Sequence, residues 1–133
     1  MPLHPTKYAE MLGEKMQAAG VNVWLINTGW TGGPYGIGNR MKLKYTRAMI
    51  TEALNGGLDN VSYENHPIFG VAMPKECANV PDELLDPKNT WADKDAYDEK
   101  ANALANKFSG NFEQFASYAN DEIMAGAPKA TVN

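Results

Sequence analysis

Apolar and polar residues alternate along this chain with two periods, and each switch between them marks a new element. Between 6 and 19, Tyr8, Met11, Leu12, Met16 and Ala19 recur at steps of three and four, which predicts an amphipathic helix. Thr6 reads as its cap and Gly20 as its stop. A strand follows at 21–26, where Val23-Trp24-Leu25-Ile26 has the β-branched and aromatic content of a buried one. Met41-Lys42-Leu43-Lys44 alternates apolar and basic residues, the pattern of a short exposed strand. A second helix is expected over 46–55, burying Met49, Ile50, Ala53 and Leu54 before Gly56-Gly57 ends it. Ile68-Phe69-Gly70-Val71-Ala72-Met73 reads as another strand, closed by Pro74. A third helix starts near Asp93, with Tyr97, Ala101, Leu104, Ala105 and Phe108 on one face and a capping-box spacing between Thr90 and Asp93. Gly110 interrupts it, Phe112 and Phe115 carry the stripe into a last helical segment, and 126–133 reads as a loose tail. Helices alternate with strands early and dominate late, so the class is α/β, a mixed α+β arrangement that is helix-rich in its second half.

The 133 residues suffice for one domain with a core, and 44% apolar with 21% charged residues is ordinary for a globular protein. The net charge of −4 argues against a general nucleic-acid or anionic-membrane binder. No apolar run reaches the length of a membrane span, and the single Cys77 cannot form an internal disulfide, so a reducing cytoplasm fits best. The irregular stretches at 27–40 and 73–92 are long for a compact small domain unless they are functional or pack on something absent. They point to one partial domain, 1–133, cut from a larger protein.

The stretch 27–40 holds five of the chain's 12 glycines, and glycine lets a backbone take positive φ and approach a ligand closely. Two phosphate motifs fail on it. Gly33-Pro34-Tyr35-Gly36-Ile37-Gly38 has the glycine spacing of a P-loop, but Asn39 and Arg40 stand where Lys and Ser/Thr belong. Gly36-Ile37-Gly38 is followed by Met41 where a dinucleotide fingerprint needs its third glycine. From spacing alone, a structural turn and a ligand loop stand level.

Arg40, Lys42, Lys44 and Arg47 place four of the chain's 12 cationic residues within eight positions. Such a cluster suits a phosphate or carboxylate; a solvated strand edge, where lysines discourage pairing, is the simpler reading. Thr46 is placed to cap the second helix. His4 and His66, each beside a proline, read as structural, and Cys77 as an incidental thiol. Asp93, Asp95, Asp98 and Glu99 fit a solvated helix start. Trp24, Trp30 and Trp91 read as anchors, with Trp30 able to wall a pocket. These residues form no active site, and no catalytic or metal-ligating set is assigned.

A likeness emerges from longer strings. His4-Pro5-Thr6-Lys7-Tyr8-Ala9-Glu10-Met11-Leu12, Val23-Trp24-Leu25, Asn27-Thr28-Gly29-Trp30-Thr31-Gly32-Gly33 and Gly36-Ile37-Gly38-Asn39-Arg40-Met41 resemble the C-terminal part of ATP-dependent phosphoenolpyruvate carboxykinases. Thr46-Arg47, Ala53-Leu54-Asn55-Gly56 and Leu85-Asp86-Pro87-Lys88-Asn89-Thr90-Trp91 continue it across nearly the whole chain. The resemblance implies the C-terminal part of a mononucleotide-binding domain, from a cytoplasmic lyase of gluconeogenesis. Such enzymes turn oxaloacetate and ATP into phosphoenolpyruvate, ADP and CO₂, with Mg²⁺ and a second ion, often Mn²⁺. Their phosphate loop, metal ligands and oxaloacetate-binding arginines all precede the part this chain resembles.

What the likeness carries over is the adenine end of the ATP site, on Arg40, Met41 and Thr46. A guanidinium can stack on adenine, a hydroxyl can bond ring nitrogens, and Met41 would meet the base through backbone and packing. Asn39 stands where many members have lysine, so no phosphate-directed charge is implied there. The expectation is a fragment that binds ATP or ADP, meets oxaloacetate only within the full-length enzyme, is inactive alone, and has no nucleic-acid or membrane partner. A free-standing adenine-nucleotide-binding module without chemistry is the alternative. A structural remnant that associates through apolar faces its parent would cover is a third.

Overall fold

The computed structural model describes residues 3–27 and 29–130. It is a mixture of helices and two small antiparallel sheets, and roughly half of the residues are helical. The α1 helix spans Pro5–Ala19. Its N-cap is His4 rather than Thr6, because Pro5 fits the first helical position with its preset φ and missing N–H. Thr6 Oγ1 instead lies 2.8 Å from His4 Nδ1. Gly20 ends the helix as expected, in the left-handed region at φ 61°, with its N–H donating to Met16 O at 3.0 Å.

Residues 21–27 carry a strand's sequence and form no strand among the described residues. None takes part in a backbone–backbone hydrogen bond there. A strand exists only by pairing, and no described residue pairs with this segment. The first sheet is instead the hairpin of β1 (Trp30–Thr31) and β2 (Asn39–Arg40), with Trp30 opposite Arg40 and Thr31 opposite Asn39.

The alternation at 41–44 does not make a strand either. Lys42 is the N-cap of α2 (Leu43–Leu54), and four alternating residues fit the first turn of a helix equally well. Thr46 therefore lies inside the helix and does not cap it. The far end follows expectation: Gly56 has φ 76°, Asn55 N–H donates to Thr51 O at 3.0 Å and Gly57 N–H donates to Glu52 O at 2.9 Å, closing the helix.

The strand expected at 68–73 shrinks to β4 (Ala72–Pro74), paired with β3 (Tyr63–Asn65). Gly70 takes φ 68° and donates to His66 O at 2.8 Å, so the chain turns through 67–69 instead of running straight. Pro74 ends β4, where a missing donor costs no ladder bond. Two short 3₁₀ turns, Asp82–Leu84 and Pro87–Thr90, lead to α3 (Lys94–Phe112). Asp93 caps α3 by itself, accepting from Ala96 N–H at 2.9 Å. Thr90 makes no box: its hydroxyl donates to Pro87 O at 2.8 Å. Gly110 does not interrupt α3, since a solvent-facing glycine costs only about 1 kcal/mol against alanine. A 3₁₀ stretch, Glu113–Tyr118, and α4 (Asp121–Ala125) follow. Lys129 N–H donates to Ile68 O at 2.7 Å and Ala130 packs near Ile68; residues 131–133 lie outside those described.

Burial is shallow and split. One cluster joins Ile68 to Tyr97, Ala101 and Ala105 on α3, with Phe69 and Trp91 against it. The other gathers Leu58, Cys77 and Val80, with Trp24, Tyr45 and Met49 packed on it. On α3 the expected face is only half inside, for Leu104 and Phe108 are exposed. On α1, Met11 and Leu12 are exposed, and on α2 so are Ile50 and Leu54. No described helix is long and apolar enough to cross a membrane.

Candidate nucleotide site

The glycine loop is a seven-residue connection between β1 and β2, and three features fix its shape. Pro34 O accepts from the N–H groups of Ile37 at 3.0 Å and Gly38 at 2.9 Å, making a tight turn. At Gly38 a Cβ would sit 2.4 Å from Gly33 O and 2.6 Å from Thr31 O, so only glycine fits the crossing. Gly32, at φ 81°, donates its N–H to Thr90 Oγ1 at 3.0 Å, tying the loop to the turn before α3. Sequence reasoning missed this tether, because nothing local links positions 58 residues apart.

The three expected adenine contacts follow directly. Arg40 is exposed on β2. Met41 is half-buried, its N–H donates to Gly29 O at 3.1 Å, and it lines an open apolar cleft. Thr46 is buried, at 7% exposure, in the first turn of α2. All three lie within seven residues of chain, yet only Met41 lines the cleft; Arg40 and Thr46 stand outside its walls. Lys42, Lys44 and Arg47 are exposed like Arg40, and Lys44 Nζ lies 4.8 Å from the centre of the Tyr45 ring. Among the described residues none of these four cations forms an ion pair.

The open cleft has a volume of about 1100 Å³, and its lining includes residues 22–27, Trp30, Met41, Phe69, Val71, Leu84 and Phe108. Trp30 does wall it, braced edge-on by Tyr35 with ring centres 5.2 Å apart. Its lining also includes a buried polar pair, His66 and Tyr97, of which sequence reasoning read His66 only as a structural histidine. His66 Nδ1 accepts from the N–H groups of Ile68 and Phe69, each at 3.2 Å. That leaves the proton on Nε2, which donates to the Tyr97 hydroxyl at 2.8 Å. Burial lowers the His66 pKa below its ordinary value, while Asp86 and Asp98 pull it weakly back up. Burial likewise raises Tyr97, and raises the Cys77 thiol with help from Glu52, so Cys77 stays a protonated packing group. Among the described residues no three His, Cys, Asp or Glu side chains gather as metal ligands.

This constellation has relatives. The family model described as phosphoenolpyruvate carboxykinase matches residues 1–83, well over half the chain. The chain belongs to this carboxykinase family. A phosphoenolpyruvate carboxykinase (ATP) of Flavobacterium johnsoniae is 70% identical over 128 residues, covering 96% of this chain and 24% of the relative. Those of Brevibacillus brevis and Thermus thermophilus are 56% identical over 126 residues and 50% over 129, again covering 24% of each relative. The chain thus spans about a quarter of the length of the curated carboxykinases it matches. The glycine loop and Arg40, Met41 and Thr46 all fall within the part matched by the family model.

Proposed function

We propose that this chain is the C-terminal portion of an ATP-dependent phosphoenolpyruvate carboxykinase, a cytoplasmic lyase that converts oxaloacetate and ATP into phosphoenolpyruvate, ADP and CO₂. Its own part is the adenine side of the ATP site. The observation that carries the reading is the tethered glycine hairpin, which runs straight into Arg40, Met41 and the buried Thr46. Arg40 offers a guanidinium that no carboxylate engages among the described residues, free to stack on or bond to a base. Met41 supplies apolar packing, and Thr46 a hydroxyl for a ring nitrogen. Mg²⁺ and Mn²⁺ neutralise phosphate charge in the full-length enzyme, and their ligands lie outside this chain.

Phosphoryl transfer depends on positioned charge around the transferring group. The sequence carries no complete phosphate-loop motif and the described residues hold no metal-ligand cluster, so the chain is expected to be inactive by itself. Amide NMR with ATP tests the binding half of the reading. Shifts centred on residues 40–47, weakened roughly tenfold in affinity by Arg40→Ala as the loss of one such contact predicts, support it. Shifts elsewhere, or none, overturn an adenine site in this chain. Phosphoenolpyruvate formed from oxaloacetate by the pure chain would contradict its inactivity.

A further inference from the structure

We infer that Thr90 is a positioning residue for the nucleotide site: through Gly32 its hydroxyl places the glycine hairpin, and thereby sets where Arg40 and Met41 stand toward a bound base. The hydroxyl has one proton, and that proton is committed to Pro87 O at 2.8 Å. A lone pair is left to accept from the Gly32 N–H, 3.0 Å away. Among the described residues this is the only hydrogen bond from 30–40 to any residue beyond Met41. The two backbones also approach closely. At Gly32, with φ 81°, a Cβ would lie 3.0 Å from Thr90 O, so the contact takes a glycine on one side and a β-hydroxyl on the other.

The two sides of the contact differ in firmness. The turn Pro87–Thr90 is anchored on α3. Lys94 Nζ donates to Lys88 O at 2.7 Å and to Asn89 O at 2.9 Å, and Lys88 Nζ meets Asp98 at 2.6 Å. Trp91 follows at once and packs edge-on to Tyr97, with ring centres 5.6 Å apart. The hairpin has only two paired residues on each strand, and Tyr35 and Ile37 at its tip are exposed. A ribbon that small is marginal by itself, so the turn holds the hairpin rather than the reverse. The ladder carries the placement onward. Thr31 faces Asn39, Trp30 faces Arg40, and Met41 N–H reaches Gly29 O at 3.1 Å. A shift of Gly32 therefore moves Arg40 and Met41 with it. The role of Thr90 rests on reading residues 40–46 as the adenine side of an ATP site.

Thr90→Val keeps the shape of the side chain and removes the hydroxyl, while Thr90→Ser keeps the hydroxyl. Neither bond of Thr90 is fully buried, so water can serve the released groups and the Val variant folds. Amide NMR on the chain gives two readouts. Without ATP, the Gly32 amide of Thr90→Val should exchange at least about tenfold faster than in the unsubstituted chain. With ATP, shifts at 40–47 should report an affinity about fivefold weaker, the usual weight of one hydrogen bond, and Thr90→Ser should restore both readouts to within about twofold. A bond that only stabilises the fold would lower the urea midpoint and leave the ATP affinity of the folded chain alone. ATP binding by Thr90→Val within about twofold of the unsubstituted chain, weaker binding with Gly32 exchange unchanged, or no rescue by Ser would each overturn the role. An unsubstituted chain whose spectrum ignores ATP would overturn the adenine reading itself, and the role of Thr90 with it. Whether the unsubstituted chain binds ATP thus tells the two failures apart.

Discussion

The two halves of this chain handle the same physical problem in opposite ways. Every buried apolar side chain among the described residues lies at or beyond Leu58. Before it only two polar side chains, Thr6 and Thr46, are buried, while Leu12, Val23, Leu25, Leu43 and Leu54 face water. Yet the first half has the stronger periodicity: α1 and α2 are cleanly amphipathic, and 21–26 is as apolar as any stretch in the chain. An apolar pattern therefore encodes a demand for burial, and whether the demand is met depends on what else is present to pack. The second half meets it in part, through α3, the β3–β4 hairpin and the turns between them, with Trp24, Tyr45 and Met49 of the first half packed on its Leu58 cluster.

The sharpest way to break that contrast is to hollow out the half that is filled. Ile68 is 4% exposed between Phe69 and α3, so Ile68→Ala should cost about 2 to 5 kcal/mol, the usual range for a core cavity. Urea unfolding followed by Tyr and Trp fluorescence measures it; a loss below 1 kcal/mol would mean that the Ile68 cluster is not a core. Next in size is Gly38→Ala, whose new methyl would meet the backbone oxygens of Gly33 and Thr31. Those atoms cannot step aside, so a cost of about 1 to 3 kcal/mol is expected, confined to the hairpin. Amide resonances of 29–41 should move while those of α3 stay in place. Shifts reaching α3 through the Gly32–Thr90 tether would show that the two halves are more tightly joined than their packing implies.

His66 probes the filled half through pH. Its neutral ring holds the turn with Nδ1 and reaches α3 with Nε2. With a folded-state pKa depressed by burial, its stabilisation is fully present above the ordinary histidine value of about 6.5 and is lost as pH falls through the lower folded value. The carboxylates of Asp86 and Asp98 oppose this shift weakly, and Lys88 engages Asp98 at 2.6 Å. His66→Asn keeps an acceptor at the Nδ1 position and forfeits the Tyr97 bond. It should cost about 1 to 2 kcal/mol at pH 7.5 and flatten the loss of stability expected for the unsubstituted chain below pH 6.5. An unchanged acid limb in the variant would assign the titration to another group.

Part of this was legible in the residues, and most of the failures share a cause. Three helix ends were readable because their chemistry is local, at Gly20, Gly56-Gly57 and Asp93, whereas Thr6 and Thr46 were misread as caps because the helices begin at Pro5 and Leu43. Arg40, Met41 and Thr46 were expected from family strings rather than from periodicity, and the structure puts only Met41 on the cleft. Strands were misread at 21–26, 41–44 and 68–73 because a strand is a property of a pair, and the pairing depends on distant or absent chain. Thr90 beneath Gly32 and Tyr97 beside His66 escaped notice for the same reason, being contacts across 58 and 31 positions.

The smallest expected effect is the most telling one for the unfilled half. Leu25 has the sequence setting of a core residue, and in a filled core its truncation would cost as much as that of Ile68. At 85% exposure it has almost no packing to lose. Leu25→Ala should therefore change the stability of the chain alone by less than about 0.5 kcal/mol, as surface substitutions do. Dilution should leave this result untouched if the chain is monomeric. A cost of 2 kcal/mol or more would mean that Leu25 is covered in solution, either by a fold-back of the chain or by another copy. Fluorescence-detected urea midpoints measured over a hundredfold range of protein concentration separate those two, since only covering by another copy makes the midpoint depend on concentration.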